Sequence, residues 1–529
     1  MGRRVLAIAA LMFAVAGGAG LAAVAASSQA STWTLRLVQT GSAAFGVGSI
    51  DPAQSGGSFF AEQLLWSTCA FLYDYPDEAA PHGAVLEPEV ATAFPRVRRR
   101  GRDYTYRIDV RSGFRYQDGR PVTAADFAYA IRRDFSPGLR SEAPLVLRDM
   151  VSVASRGASL YVTMDRPAAD LPAMLSSPLF CAVPAGLPPQ ATQMAPMAGP
   201  YYIAASTQNE IVLKRNPYYD GGRPRGAAEI DWLFGTPGDA IPLAVERGDA
   251  DFGVVSPTST AAIAARYGVN KTQFFVAAGY QVLCLALNTS RPLFADNPQL
   301  RRAVNYAIDR HALALAFGSF VGNRTDQFLP STMPGVMPER LYPRYGPDLP
   351  RARQLARGHT RDGTAVMYVR SPAPSAYARA QIVQYDLKQI GINVLVQPWA
   401  QDQAQVLSTR GAPFDIADRG CGDIAPYFDP YALLNLPFDG SLIQETGNTD
   451  LSYFNDPTVN QQLEATAALT GTARYRAYGK LDVQLALKDA PAVPYAVVNR
   501  LAFVSARIGC VELNPIYGAS LGRLCLKGS

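Results

Sequence analysis

The stretch from Thr364 to Tyr431 constrains the fold of this chain more than any other. Its opening run, Ala365-Val366-Met367-Tyr368-Val369, is apolar enough for a strand buried on both faces. Ser371-Pro372-Ala373-Pro374 breaks it. From Ser375, residues Tyr377, Ala380, Ile382, Val383, Leu387 and Ile390 recur at helical spacing, and Gly391 supplies the left-handed stop. Ile392 to Gln397 reads as a second strand. Strand, helix and strand within about thirty-five residues form a βαβ unit with a right-handed crossover. In open α/β sheets, ligands sit beyond the carboxyl ends of such strands. Pro398-Trp399 follows here and then, after a third short strand at Phe414-Asp415-Ile416-Ala417, the loop Asp418-Arg419-Gly420-Cys421-Gly422-Asp423. An aromatic face, an arginine and a glycine-spaced loop with an acid make this the candidate ligand site.

The N-terminus, residues 1–30, reads as a signal peptide. Arg3-Arg4 precedes an Ala- and Gly-rich apolar run from Val5 to Ala26, with an Ala-x-Ala cleavage option at Ala23-Val24-Ala25. No second apolar stretch reaches spanning length, and no cysteine precedes Cys69 to carry a lipid. The expected product is soluble and exported, in the periplasm or at the cell exterior. Roughly 500 residues are too many for one core, so two or three lobes are expected. A net charge of +5 is weak for this size, and the cluster Arg96, Arg98, Arg99, Arg100, Arg102 is expected to be a solvated loop, so nucleic acid is not an expected partner. Six cysteines in an exported chain point to disulfides, although fifteen pairings are open. Cys510 and Cys525 would close a small loop, Cys284 and Cys421 would tie a strand to the candidate loop, and Cys69 and Cys181 are then left. With no Cys-x-x-Cys, zinc and redox readings are poor.

Elsewhere, Thr34 to Val38 alternates as a strand, and Phe59 to Tyr73 has helical spacing. Tyr104 to Val110 alternates as a half-buried strand that resumes at Phe114-Arg115-Tyr116, and Asp118-Gly119 turns it. Thr123-Ala124-Ala125-Asp126 is a capping-box variant opening a helix. Strands are expected at 210–215, 230–234, 280–287 and 495–498, the last led by Pro491 and Pro494. Helices are expected from Asp239 to Gly248, after Asn297, at 457–469 and at 472–487.

Several of these segments, in this order, resemble the extracytoplasmic peptide-binding proteins of ABC importers, the oligopeptide and dipeptide solute-binding family (bacterial family 5). The resemblance lies in Tyr104-Thr105-Tyr106-Arg107-Ile108 through Asp118 to Phe127, in Gly199-Pro200-Tyr201 with Arg215-Asn216-Pro217-Tyr218-Tyr219, and in Asn288 to Phe294. It continues in Arg302 to Arg310 and Gln384 to Ile392. It implies an α/β, two-lobed periplasmic-binding-protein-like fold of type II, with an additional α+β domain and a ligand cleft between the lobes. Lobe I would comprise 31–65, 195–283 and 497–529, the additional domain 66–194, and lobe II 284–496. In the family the loop after the βαβ unit reads Gly-Trp-x-x-Asp, its acid meeting a peptide's amino group. Here Gly420 matches, Cys421 replaces the tryptophan and Asp423 comes one residue early. Trp399 matches a position that lines side-chain pockets, and a Cys284–Cys421 bridge resembles one that some members carry.

The resulting ligand-binding candidates are Asp423, Trp399, Arg419, Gly420, Cys421 and Tyr453. Asp423 would meet a ligand ammonium or, as a loop acid, neighbouring backbone N–H groups; Arg419 is first a structural ion pair and second a ligand-carboxylate partner, and Tyr453 is by default a packing residue. The expected function is capture of a small solute, a peptide first, for an ABC import permease, by a monomer using no cofactor and no metal. An oligosaccharide or chelated-metal binder is the alternative, with a secreted hydrolase second. With His82, His311 and His359 as the only histidines and no nucleophile-elbow or metal-ligand spacing, no catalytic residue is assigned.

Overall fold

The computed structural model describes residues 32–43, 50–54, 59–139, 141–188, 194–371, 373–399, 404–421 and 425–528. The expected signal peptide and Asp423 lie outside the described residues. No helix among the described residues is long and apolar enough to cross a membrane.

Two long strands, Phe274–Leu287 and Ala492–Val504, run antiparallel through the centre of an eleven-stranded sheet. Their pairing extends from Phe274 opposite Phe503 to Ala286 opposite Ala492, with register shifts between Ala278 and Val282 and between Leu283 and Cys284. On one side of this pair lie Phe252–Gly253, Thr34–Val38, Glu229–Leu233, Glu210–Arg215 and Tyr201–Ser206. On the other lie Ile416–Ala417, Thr364–Arg370 and Asn393–Trp399, which pair in parallel and complete the βαβ unit. Both long strands exceed their expected spans. Pro494, expected to precede the strand, sits inside it opposite Cys284, at a register shift where the ladder tolerates a missing N–H.

A separate four-stranded antiparallel sheet, Arg96–Arg100, Asp103–Asp109, Ser159–Met164 and Met150–Arg156, is covered by the helix Ala124–Asp134. The Asp126 carboxylate accepts from the Thr123 N–H and hydroxyl, each at 2.8 Å, and closes the capping box. The arginine cluster is not a loop. Arg96–Arg100 is an exposed edge strand, where charge discourages pairing with another chain. Phe114 to Tyr116 does not resume a strand and contributes only the bridge Arg115 to Pro121. The helix from Phe59 ends at Thr68 rather than Tyr73, because the buried Arg223 guanidinium takes the Trp66 and Cys69 carbonyls and Cys69 is bonded to Cys181. Cys284 is bonded to Cys421 and Cys510 to Cys525, so the structure joins the pairs set out from the sequence.

Candidate functional site

The three parallel strands 364–370, 393–399 and 416–417 end at the same edge of the sheet. Thr364–Arg370 was expected to be buried on both faces and is buried on one: Ala365, Met367 and Val369 are buried while Val366 and Tyr368 are half-buried. The reason is that Tyr368 faces a cavity of ≈ 350 Å³ at the carboxyl ends of the strands. Leu283 and Tyr495 of the two long strands line it with Tyr368 and Trp399, and Arg370, Arg379 and Arg419 bring positive charge.

Trp399 is only 6% exposed, and packs with Leu407, Phe414, Leu451 and Tyr453 in a small core that stiffens the cavity wall. Arg419 lines the cavity beside Asp418. Gly420 and Cys421 do not line it but fix the loop. Gly420 has φ +111°, and a Cβ there would stand 2.8 Å from the Leu451 Cβ, so only glycine passes. Cys421, through its bond to Cys284, holds the loop to the long strand. Tyr453 lies behind the wall: its hydroxyl donates to the Leu407 and Thr409 carbonyls at 2.9 and 2.7 Å, a packing role.

Two residues absent from the candidate set organise the site. Arg379, on the helix Pro374–Lys388, donates from Nε to Asp418 Oδ2 at 2.8 Å, and its Nη2 lies 2.7 Å from the same oxygen. Tyr495 donates its hydroxyl to Asp418 Oδ1 at 3.1 Å. Burial opposes the Arg379 charge, but Asp418 prevails and holds the guanidinium above its ordinary range. The sequence signal was a charge on the buried stripe: Arg379 falls on the same helical face as Ala376, Ala380 and Val383.

Just past the loop, a buried ionic network anchors the chain. Arg474 grips Asp429 with two bonds, Nη1 to Oδ2 at 2.9 Å and Nη2 to Oδ1 at 2.6 Å. Tyr427 donates to Asp170 at 2.9 Å, Arg166 binds Asp170 bidentately at 3.2 Å, and the Arg166 guanidinium lies 4.1 Å from the Tyr431 ring centre. Asp415 accepts from the Val366 N–H at 2.8 Å. The aspartates close in sequence here are therefore tied to structural partners wherever they are described, and no group of His, Cys, Asp and Glu among the described residues is arranged to hold a metal. The geometry suits binding.

Residues 85–443 match the family described as bacterial extracellular solute-binding proteins, family 5 middle. The glutathione-binding protein GsiB of Salmonella typhi is 25% identical over 307 residues, covering 55% of this chain and 57% of that one, so the chain spans a little over half the length of this relative. Among solved structures, clavulanic acid biosynthesis oligopeptide binding protein 2 superposes with a TM-score of 0.79 at 23% identity, covering 93% of this chain and 95% of that one. The periplasmic binding protein DppA of Helicobacter pylori, in complex with the peptide STSA, superposes with a TM-score of 0.70 at 17% identity, covering 93% and 98%. The fold is thus the two-lobed α/β fold of periplasmic binding proteins. On the breadth of the family match, the chain belongs to the bacterial extracellular solute-binding proteins, family 5.

Proposed function

We propose that this protein is the extracytoplasmic receptor of an ABC importer, capturing a peptide between its lobes and handing it unchanged to a membrane permease. The observation that carries the reading is the cavity at the carboxyl ends of three parallel strands, floored by residues of the two strands that cross the sheet. Relatives named for binding glutathione and oligopeptides support a peptide. On this reading lobe I comprises 31–65, 195–283 and 497–529, lobe II 284–496 and the additional domain 66–194. The breaks after 283 and 496 are supported by the register shifts nearby, where the paired strands bend most readily. Trp399 and Arg419 contact ligand, Gly420 and Cys421 hold the loop, and Asp423 meets the peptide amine. The protein works as a monomer, exported with its signal peptide removed.

Because ligand binds the folded state alone, a peptide at about 100 times its Kd adds roughly 2.7 kcal/mol of stability. A thermal-shift panel of tri- to nonapeptides, oligosaccharides and chelated nickel tests the reading. Peptides alone should raise the midpoint; a shift with sugars or the nickel chelate only would transfer the function to them.

A further inference from the structure

The four-stranded sheet carries more positive charge than its exposed edge requires. Charge on an edge strand discourages pairing with another chain, and a single arginine would serve. Here Arg96, Arg98, Arg99 and Arg100 are all exposed on that strand. The register sorts them by face. Tyr106, Ile108, Leu160 and Val162 are buried on the side that the helix 124–134 covers, and Val97 stands opposite Tyr106 on that side. Arg96, Arg98 and Arg100, at alternate positions opposite Arg107, Thr105 and Asp103, therefore share the uncovered face. Arg107 and Arg156 lie on the same face and are exposed too, although neither belongs to the edge strand. Arg96 directly opposes Arg107, a like-charge pair that weakens a sheet. Against these five arginines the face sets Asp103 and Asp109, and Asp109 already holds Arg107 Nε at 2.8 Å. Defence of the edge does not account for cations spread across the sheet.

We propose that this face docks on an anionic phospholipid bilayer, its arginines donating to lipid phosphates. Guanidinium groups hold phosphate with two parallel bonds, so lipid headgroups complement the face in charge and in geometry. From Arg96 to Arg100 the face runs about 14 Å along the strand, and four strands make it about 14 Å across, enough to meet several headgroups together. A protein partner would need an apolar anchor at the centre. The centre instead holds Thr105 and Thr163, whose hydroxyls bond each other at 3.1 Å. A single-stranded nucleic acid would need successive aromatic rings for its bases. Tyr161 is the face's one ring among the described residues, and the Arg156 guanidinium already lies 5.8 Å from its centre. With charge and no inserted apolar group, attachment is reversible and sensitive to salt. The inference goes beyond solute capture and does not depend on it.

Vesicle flotation tests this, comparing phosphatidylcholine vesicles with vesicles of phosphatidylcholine mixed with phosphatidylglycerol. The unmodified protein should bind the mixed vesicles about 100-fold more tightly, and high salt should remove the difference. Each arginine near an anionic surface is worth about a factor of five, so the triple variant Arg96→Gln, Arg98→Gln, Arg100→Gln should bind roughly 100-fold more weakly. A control triple, Arg247→Gln, Arg351→Gln, Arg357→Gln, removes the same charge from exposed positions outside this sheet and should change binding by about threefold or less. Equal binding to both kinds of vesicle, or binding to neither, would overturn the proposal and leave peptide capture standing. Equal losses in the two triple variants would reduce the attraction to net charge and overturn the role of the face. Tighter binding to polyuridylate than to the mixed vesicles would overturn it in favour of nucleic acid. Should the first triple variant aggregate through its uncharged edge, Arg107→Gln with Arg156→Gln leaves the edge charged and should weaken vesicle binding about tenfold; undiminished binding there would also overturn the proposal.

Discussion

Replacing Arg474 with methionine should be among the most damaging single changes in this protein. The Arg474 and Asp429 side chains are 3% and 4% exposed, and the guanidinium makes two bonds to the carboxylate. Methionine fills a similar volume but leaves Asp429 with the Tyr431 N–H at 2.8 Å as its remaining backbone donor. An unpaired carboxylate at that depth costs about 3–5 kcal/mol. Asp170 also feels the loss, because its carboxyl, which burial pushes up, is held below the usual range by Arg166 and then by Arg474. Adding Asp429→Asn removes the stranded charge and keeps an oxygen for Tyr431, so the double variant should fall within about 2 kcal/mol of the unmodified protein. Urea unfolding followed by far-UV dichroism measures each step of the cycle, and a coupling above about 2 kcal/mol is expected. A loss below about 1 kcal/mol for Arg474→Met, or additive effects in the double variant, would refute the claim that this network anchors the chain beyond the site loop.

Other outcomes follow from the same geometry. Asp126→Ala strands the Thr123 and Ala185 N–H groups it accepts from and should cost about 2–3 kcal/mol, whereas Asp118→Ala, whose partner Arg120 is solvated, should change stability by less than about 1 kcal/mol; chemical denaturation of both variants distinguishes the cases. Asp450 is 3% exposed and burial pushes its carboxyl up to about 8. Its folded value lies above the ordinary 3.8, so its contribution is whole below that value and is lost as pH climbs toward 8. The urea midpoint should therefore fall between pH 5 and pH 8, and Asp450→Asn should flatten part of that slope. Replacing both Cys284 and Cys421 with serine opens a loop of 137 residues and should cost about 2–5 kcal/mol, weakening ligand binding as the site loop loosens; calorimetric melting with and without peptide measures both effects.

The βαβ unit was legible because its strands and helix each obey a local period, and Gly391, with φ +88°, stops the helix as its position suggests. What failed was length. Phe274 to Ala278 pairs with Asn499 to Phe503, and a partner more than two hundred residues away leaves no local trace. The helix Pro430–Phe438 leaves no signature in the sequence, since all nine residues are buried and Pro437 stands inside it, so it has neither a polar face nor an uninterrupted run. At the site, Trp399 and Arg419 were found from their place after the strands, and both line the cavity. Arg379 is marked in the sequence only as a charge on the apolar face of its helix, and nothing local ties that charge to Asp418, thirty-nine residues on. Tyr453, whose default role from the sequence is packing, has its hydroxyl committed to backbone.

On this reading a solute enters the cleft and leaves it chemically unchanged. Native mass spectrometry of the exported protein incubated with a peptide pool, followed by release in acid and sequencing of what comes off, measures this directly. One intact peptide per chain is the predicted result. Shortened fragments accumulating in the pool, or a chain that carries nothing, would contradict it.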